Sequence, residues 1–132
     1  MHRVKDKVAL VTASSTGIGF AIAKKLASEG AKVVVSSRNQ KNVDDAVAAI
    51  NSNGYLHKAV GIVLHVGNQQ DRDAVVNRIV SEHGKLDILV CNAAVSTHMG
   101  DVFSINEQQY DKMFDTNVKS TFFLCKSFVP HF

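Results

Sequence analysis

The chain of 132 residues has no tryptophan, one proline and two cysteines. Cys91 and Cys125 have neither the CxxC spacing nor the paired spacing of metal ligands, so we expect two reduced core thiols and no metal site. No apolar run approaches the ~18 residues that a membrane-spanning helix needs, and a polar start precedes the first apolar run at Val8. These absences argue against a disulfide scaffold, a signal peptide and a membrane span, and favour an intracellular protein.

Concentrated charge is also scarce. The net charge of +3 comes from lysines and arginines spread along the chain, and only Arg3, Lys5 and Lys7 form a local cluster. A nucleic-acid-binding surface more often shows a basic stripe with interleaved aromatic residues, so we predict no nucleic-acid partner. With 45% apolar and 20% charged residues, the composition is that of one globular domain with a core.

Short apolar runs alternate with segments of helical periodicity. The runs at residues 8–11, 31–36, 59–66 and 86–91 are nearly continuous, which is typical of parallel strands buried on both faces, although Gly61 weakens the third. Apolar residues recur at helical spacing in the segments between them, which end at Gly30, Asn53-Gly54 and Gly84. The alternation predicts right-handed crossovers and an α/β fold with a doubly wound parallel sheet.

The segment after the fourth predicted strand has a different character. Residues 93–103 are rich in small and polar residues and predict a loop. Ser104 and Glu107 have the spacing of a capping box, which predicts that a helix begins at Ser104. That helical region continues to an apolar block at residues 122–124, and Pro130 lies near its end.

The first predicted strand runs through a turn of small hydroxyl and glycine residues directly into a helix. Gly17 and Gly19 allow the backbone to approach an anion closely. The free N–H groups and the positive dipole end at the start of the helix favour a phosphate there. The pattern therefore predicts a pyrophosphate site, and the alternative is that the glycines serve only close packing of strand and helix.

A second candidate feature, Ser37-Arg38, lies about 20 residues further on, at the carboxyl end of the second predicted strand. Dinucleotide-binding folds place the side chain that reads the ribose at this position. An Asp would accept a hydrogen bond from the 2′-hydroxyl of NAD, whereas a hydroxyl and a guanidinium suit a 2′-phosphate. The pair predicts NADP(H) as cofactor, and the alternative is a solvated surface arginine.

Both features resemble the short-chain dehydrogenase/reductase family, and the resemblance extends over essentially the whole chain. That family has Thr-Gly-x-x-x-Gly-x-Gly at its cofactor turn and Asn-Asn-Ala-Gly after its fourth strand. The corresponding residues here are Thr12-Ala13-Ser14-Ser15-Thr16-Gly17-Ile18-Gly19 and Cys91-Asn92-Ala93-Ala94. Ala13 and Ala94 replace family glycines, so we expect a negative φ at Ala13. The segments 17–23, 33–44 and 65–67 are most similar to the NADPH-dependent carbonyl and retinal reductase branch.

The resemblance implies a Rossmann sheet of strand order 3-2-1-4 and a set of residues that bind NADP(H). Residues 15–19 would hold the pyrophosphate, residues 13 and 14 would also bind the cofactor, and Ser37 with Arg38 would bind the 2′-phosphate. The adenine would lie beside His65 or the Val66 backbone, the alternative for His65 being a residue that caps the strand end. The remaining cofactor-lining residues implied by the family are Asn92, Ala93 and Ala94.

The resemblance implies less of the catalytic machinery. Asn117 matches the asparagine of the family's catalytic tetrad, which helps to hold a proton-relaying water. The family's serine and Tyr-x-x-x-Lys have no counterpart, because Ala59 and Phe114 lie four residues after the two tyrosines, Tyr55 and Tyr110. We therefore expect residues 1–132 to be a single dinucleotide-binding Rossmann domain, incomplete at its C-terminus and cut off after the helix that follows strand four.

Three functions stay open. The first is the cofactor-binding part of an NADPH-dependent reductase of ketones, aldehydes or retinal, and this part is expected to be inactive alone. The complete enzyme would act on a small-molecule carbonyl or alcohol substrate. It would be homo-oligomeric and either cytoplasmic or peroxisomal. The second is a naturally short, non-catalytic chain that binds NADPH or pairs with a complete relative. The third is a flavodoxin-like receiver, which needs acidic residues at the strand ends that residues 36–38 and 91–93 do not supply. The unpaired edge of strand four and the apolar residues 122–129 also predict self-association.

Overall fold

The computed structural model describes residues 3–132 as parallel strands alternating with helices. Its strands are β1 (Val8–Val11), β2 (Lys32–Ser37), β3 (Val60–Val63) and β4 (Ile88–Val90). Its α-helices are α1 (Gly17–Ser28), α2 (Gln40–Asn51), α3 (Gln69–His83), α4 (Glu107–Phe114) and α5 (Ser120–Phe128). A π-helical turn, Asp115–Lys119, joins α4 to α5, and short 3₁₀ turns cover Val102–Ser104 and Val129–His131.

The strands form one parallel sheet in the order β3-β2-β1-β4. This order confirms the predicted doubly wound α/β fold. Because successive side chains along a strand point to opposite faces, β1 and β2 contribute to two separate cores. Leu10 and Val34 pack with α3 and α5, around Ile79, Leu124 and Phe128. Val11, Val33 and Val35 pack on the other face with α1 and α2, around Ala23, Ala27, Ala46 and Ile50.

Side-chain caps and left-handed glycines set the helix boundaries. Asn39 and Asn68 accept hydrogen bonds from the N–H groups of Asn42 and Asp71, so α2 and α3 begin earlier than their apolar periodicity indicates. Gly30 and Gly84 have φ of 91° and 75° and end α1 and α3 as predicted. In the part of the chain from residue 3 onward, no helix is both long and apolar enough to cross a membrane.

The capping box of α4 lies two residues later than predicted. Asn106 Oδ1 accepts from Gln109 N at 2.8 Å, and Gln109 Oε1 accepts from Asn106 N at 3.1 Å. Ser104 lies instead in the 3₁₀ turn, where its hydroxyl donates to Asp101 O. The prediction was wrong because Asn106 and Gln109 have the same spacing as Ser104 and Glu107, and asparagine caps a helix as well as serine does.

Close packing explains the glycine inside β3. A Cβ on Gly61 would lie 2.2 Å from Val43 Cγ1 and 3.0 Å from Val47 Cγ2, so α2 lies directly on the backbone of this strand. The strand is shorter than the predicted 59–66. After Leu64 N, which donates to Ser37 O, the chain leaves the sheet and turns towards α3.

We expect Gly61→Ala to lower the free energy of unfolding by about 1–3 kcal/mol, because the added methyl group must displace the β-branched side chains of α2. Urea unfolding followed by circular dichroism measures the change. Gly67→Ala is the matched control, since a Cβ there meets nothing within 4 Å. Equal stability of the two variants would contradict this account of the α2 and β3 contact.

Candidate functional site

The carboxyl ends of β1, β2 and β3 open into a cleft of about 550 Å³. In doubly wound sheets, ligands bind at this edge, where the strand order reverses. The residues predicted from sequence that line the cleft are Ala13, Ser15, Thr16, Ser37, Arg38, His65, Val66, Ala93 and Ala94. The predicted residues outside the lining are Ser14, Gly17, Ile18, Gly19, Asn92 and Asn117.

Sequence reasoning missed several lining residues, namely Leu64, Gly67, Asn68, Asp71, Val95, Lys112 and Thr116. Asn68 and Asp71 carried a usable signal, because they are a helix cap and its partner directly after a predicted strand. Lys112 and Thr116 carried none, since only the tertiary fold brings α4 and the π-helical turn to the cleft.

At the turn after β1, the chain changes its hydrogen-bonding neighbour from β4 on one side to β2 on the other. Thr12 N donates to Val90 O of β4 at 3.0 Å, and Ser14 N donates to Ser36 O of β2 at 2.8 Å. Ala13, between them, has φ of 51°, so the expected negative φ was wrong. An alanine accepts this left-handed conformation because its two neighbours are tied to strands on opposite sides.

Two buried hydroxyl groups hold this turn in place. Ser14 Oγ donates to Val11 O at 2.8 Å and accepts from Ser36 N at 3.0 Å, which accounts for its position behind the cleft. Thr12 Oγ1 accepts from Asn92 N at 2.9 Å and from Ala93 N at 3.0 Å. The turn after β1 is therefore joined by side chains to the segment after β4.

The start of α1 has the properties of an anion site. Its N-cap residue, Thr16, makes no side-chain cap hydrogen bond, and the first turn of the helix has no acidic residue. Gly17 has φ of 60°, and a Cβ there would meet nothing within 4 Å. A Cβ on Gly19 would lie 2.4 Å from Ala13 O and 2.6 Å from Asn92 Nδ2. Gly19 thus brings the helix against the turn, and the uncapped N–H groups suit a phosphate.

Asn117 lies in the π-helical turn Asp115–Lys119. Its Oδ1 accepts from Val95 N and its Nδ2 donates to Val95 O, both at 2.8 Å. The side chain therefore fastens the loop after β4, and its neighbour Thr116 lines the cleft together with Val95. π-helical turns occur frequently at functional sites, because they displace side chains from the regular helical register.

The prediction that both cysteines are core residues was wrong. Cys91 is exposed and Cys125 is half-buried, because β4 lies at the edge of the sheet. Partial desolvation of the Cys91 sulfur, with the thiol of Cys125 beside it, raises the pKa of Cys91 to about 11. A thiol with this pKa is protonated at neutral pH and is a poor nucleophile. Among residues 3–132, no three potential metal ligands lie close enough together to hold an ion.

We expect Ala13→Gly to raise the free energy of unfolding by about 1 kcal/mol, because glycine adopts a φ of 51° without the steric penalty of a Cβ. Urea unfolding measures the gain. Ala49→Gly, at an exposed position inside α2, is the control and should be destabilising. A loss of stability in Ala13→Gly as large as that of Ala49→Gly would show that the turn relaxes in solution.

Removal of the Asn117 side chain should release the loop after β4. We expect Asn117→Ala to cost about 1–3 kcal/mol, because both hydrogen bonds to Val95 are lost. Amide hydrogen exchange should also become faster at Val95. Asn77→Ala, at an exposed position in α3, is the control, and unchanged protection of Val95 in Asn117→Ala would contradict the assignment.

Comparison with known proteins agrees with this geometry. The chain matches the family model described as short chain dehydrogenase over residues 7–132. It is 52% identical over 125 residues to dehydrogenase/reductase SDR family member 4 of Bos taurus, covering 95% of this chain and 44% of that protein. The chain thus spans about half the length of the curated relatives that it matches.

Solved structures agree as well. A metagenomic short-chain oxidoreductase in complex with NADP superposes with a TM-score of 0.88 at 30% identity, over 97% of this chain and 57% of that one. L-sorbose reductase from Gluconobacter frateurii, complexed with NADPH and L-sorbose, gives a TM-score of 0.88 at 28% identity, over 97% of this chain and 48% of that one. The match of the family model to nearly the whole chain shows that this protein belongs to the short-chain dehydrogenase/reductase family.

Proposed function

We propose that the cleft binds NADP(H) and that the chain is the cofactor-binding part of an NADPH-dependent carbonyl reductase. The observation that carries this proposal is that Ser37 and Arg38 line the same cleft as the turn before α1. One site thus offers an uncapped helix start, which suits the pyrophosphate of NADP(H), and a guanidinium, which suits its 2′-phosphate.

Arg38 is suited to a phosphate because its guanidinium forms no ion pair with a carboxylate among residues 3–132. Its side chain is exposed at the end of β2. A guanidinium can bind a phosphate with two parallel hydrogen bonds. In this proposal the pyrophosphate lies at residues 15–19 and the 2′-phosphate at Ser37 and Arg38.

The proposed reaction is reduction of a ketone, aldehyde or retinal, for which bound NADPH supplies the hydride. This substrate class rests on the similarity to the carbonyl and retinal reductase branch. The described residues bind and orient the cofactor, and Asn117 fixes one wall of the cleft through Val95. No Tyr-x-x-x-Lys run occurs in the sequence, so we propose that these 132 residues form a single dinucleotide-binding domain that does not itself deliver the proton.

Exposed apolar side chains favour a second candidate function, in which the chain associates with another copy or with a longer relative. Met99 and Phe103 are 93% and 92% exposed, and Phe122 and Val129 are 62% and 63% exposed. Each large apolar side chain left in water forfeits free energy that burial against a partner surface would recover. Light scattering tests the proposal, and a single monomer species at micromolar concentration would overturn it.

Cofactor choice should depend on Arg38. We expect the chain to bind NADPH more tightly than NADH, and Arg38→Asp to abolish or reverse that preference, a change of about ten- to a hundredfold in relative affinity. Isothermal titration calorimetry measures both affinities. Lys24→Asp on α1, outside the cleft, makes the same charge change and should keep the preference. Equal binding of NADPH and NADH by the unmodified chain would overturn the assignment.

Cofactor binding by this chain should not be accompanied by reduction of a carbonyl substrate. We expect the purified 132-residue chain to leave NADPH unoxidised in the presence of a diketone or retinal, because a general acid that contributes about 10²–10⁴-fold is missing. Absorbance at the nicotinamide band follows the reaction. Substrate-dependent oxidation at a rate typical of enzymes, about 1–10³ per second, in a preparation free of host reductases would show that another residue donates the proton.

A further inference from the structure

The loop after β3, residues 65–68, is held from beneath by the first turn of α3. His65 N donates to Asp71 Oδ2 at 2.9 Å, and Asn68 N donates to His65 O at 2.9 Å. Asn68 Oδ1 accepts in turn from Asp71 N at 3.0 Å. The loop therefore has a defined backbone, although His65 and Gly67 are exposed.

Arg72 completes this support from the interior. The residue is only 7% exposed, and its Nη1 donates to Val66 O at 2.8 Å. Its guanidinium lies 5.6 Å from the ring centroid of Phe123 on α5. Within residues 3–132 no carboxylate forms an ion pair with it. A buried cation without a carboxylate partner is costly, so a residue that only filled space would be apolar.

The planarity of the peptide bond links Arg72 to the cleft. In a trans peptide the C=O and N–H groups point in opposite directions. Because Val66 O points inward to Arg72, the N–H of Gly67 points away from the interior. Because His65 O is bound by Asn68 N, the N–H of Val66 is likewise turned away from that turn. Within residues 3–132 neither N–H donates to a protein acceptor, and both residues line the cleft.

The proposed cofactor position indicates what these N–H groups face. The pyrophosphate lies at β1 and the 2′-phosphate at the end of β2, so the base extends further in the same direction along the sheet. The next strand in that direction is β3, and its carboxyl end leads into the loop 65–68. Adenine presents an unprotonated N1 acceptor, which an outward backbone N–H can recognise.

We propose that Arg72 is a positioning residue for base recognition. By holding Val66 O, it aims the N–H of Gly67 at the adenine of the cofactor. This inference rests on the proposed function, because it places the adenosine half of NADP(H) at β2 and β3. Arg72 itself does not line the cleft, and it belongs to no sequence motif recognised above.

Hypoxanthine provides the probe, because its N1 carries a proton and cannot accept from a backbone N–H. We expect the unmodified chain to bind NADPH about tenfold or more tightly than reduced nicotinamide hypoxanthine dinucleotide phosphate. Arg72→Met keeps most of the side-chain volume and removes the donor, so the ratio of the two affinities should fall to about twofold or less. Arg72→Lys retains a donor and should keep part of the discrimination.

Arg78→Met is the matched control. Arg78 lies on the same helix and its Nη1 also donates to a backbone carbonyl, Gly61 O, at 2.8 Å, but it does not line the cleft. This variant should keep the full ratio. If Arg72→Met does not fold, as judged by circular dichroism, Arg72→Gln replaces it, since its shorter side chain also loses Val66 O.

The possible results distinguish a failure of the proposed function from a failure of the role assigned to Arg72. If the unmodified chain binds neither dinucleotide, the proposed function is wrong and this inference falls with it. If the chain discriminates and Arg72→Met weakens both dinucleotides by the same factor, Arg72 is merely structural and only the inference is overturned. Amide exchange of the unliganded chain gives a second readout. Faster exchange in Arg72→Met at Asn68, whose N–H donates to His65 O and closes the loop, supports the inference, and unchanged exchange contradicts it.

Discussion

The whole cleft depends on one constraint, the change of hydrogen-bonding side at the end of β1. Thr12 is bound to β4 and Ser14 to β2, which leaves a single residue for the reversal and forces Ala13 to a φ of 51°. The reversal points Ala13 O towards Asn92 Nδ2, at 3.1 Å, and brings α1 against the turn at Gly19. The start of the helix, where an anion is most favourable, therefore lies directly at the edge of the sheet.

Side chains that bind backbone atoms hold the other walls of the cleft. Thr12 binds the segment after β4, Asn117 binds both polar atoms of Val95, and Arg72 binds Val66 O. Each bond joins segments that are far apart in the sequence or in different elements. Loops with few apolar contacts need such bonds, because a defined loop backbone otherwise loses conformational entropy without compensation.

The two arginines of the cleft region show how burial decides a role. Arg38 is exposed at the end of β2, without an ion-pair partner among residues 3–132, so its charge is available to a ligand. Arg72 is buried against Phe123, and a backbone carbonyl accepts its hydrogen bond. The same chemical group is thus available to a ligand at the surface and fixes the position of a backbone carbonyl in the interior.

The amino-acid sequence alone predicts the alternation of strands and helices, because burial on both faces of a parallel strand requires continuous apolar runs such as residues 33–35. It also predicts the turn before α1 and the position of Arg38, since both depend on local chemistry at a strand end. The φ of Ala13, the exposure of Cys91 and the partners of Asn117 and Arg72 became visible only in the folded chain. Those features depend on segments distant in the chain, whose contacts no local pattern encodes.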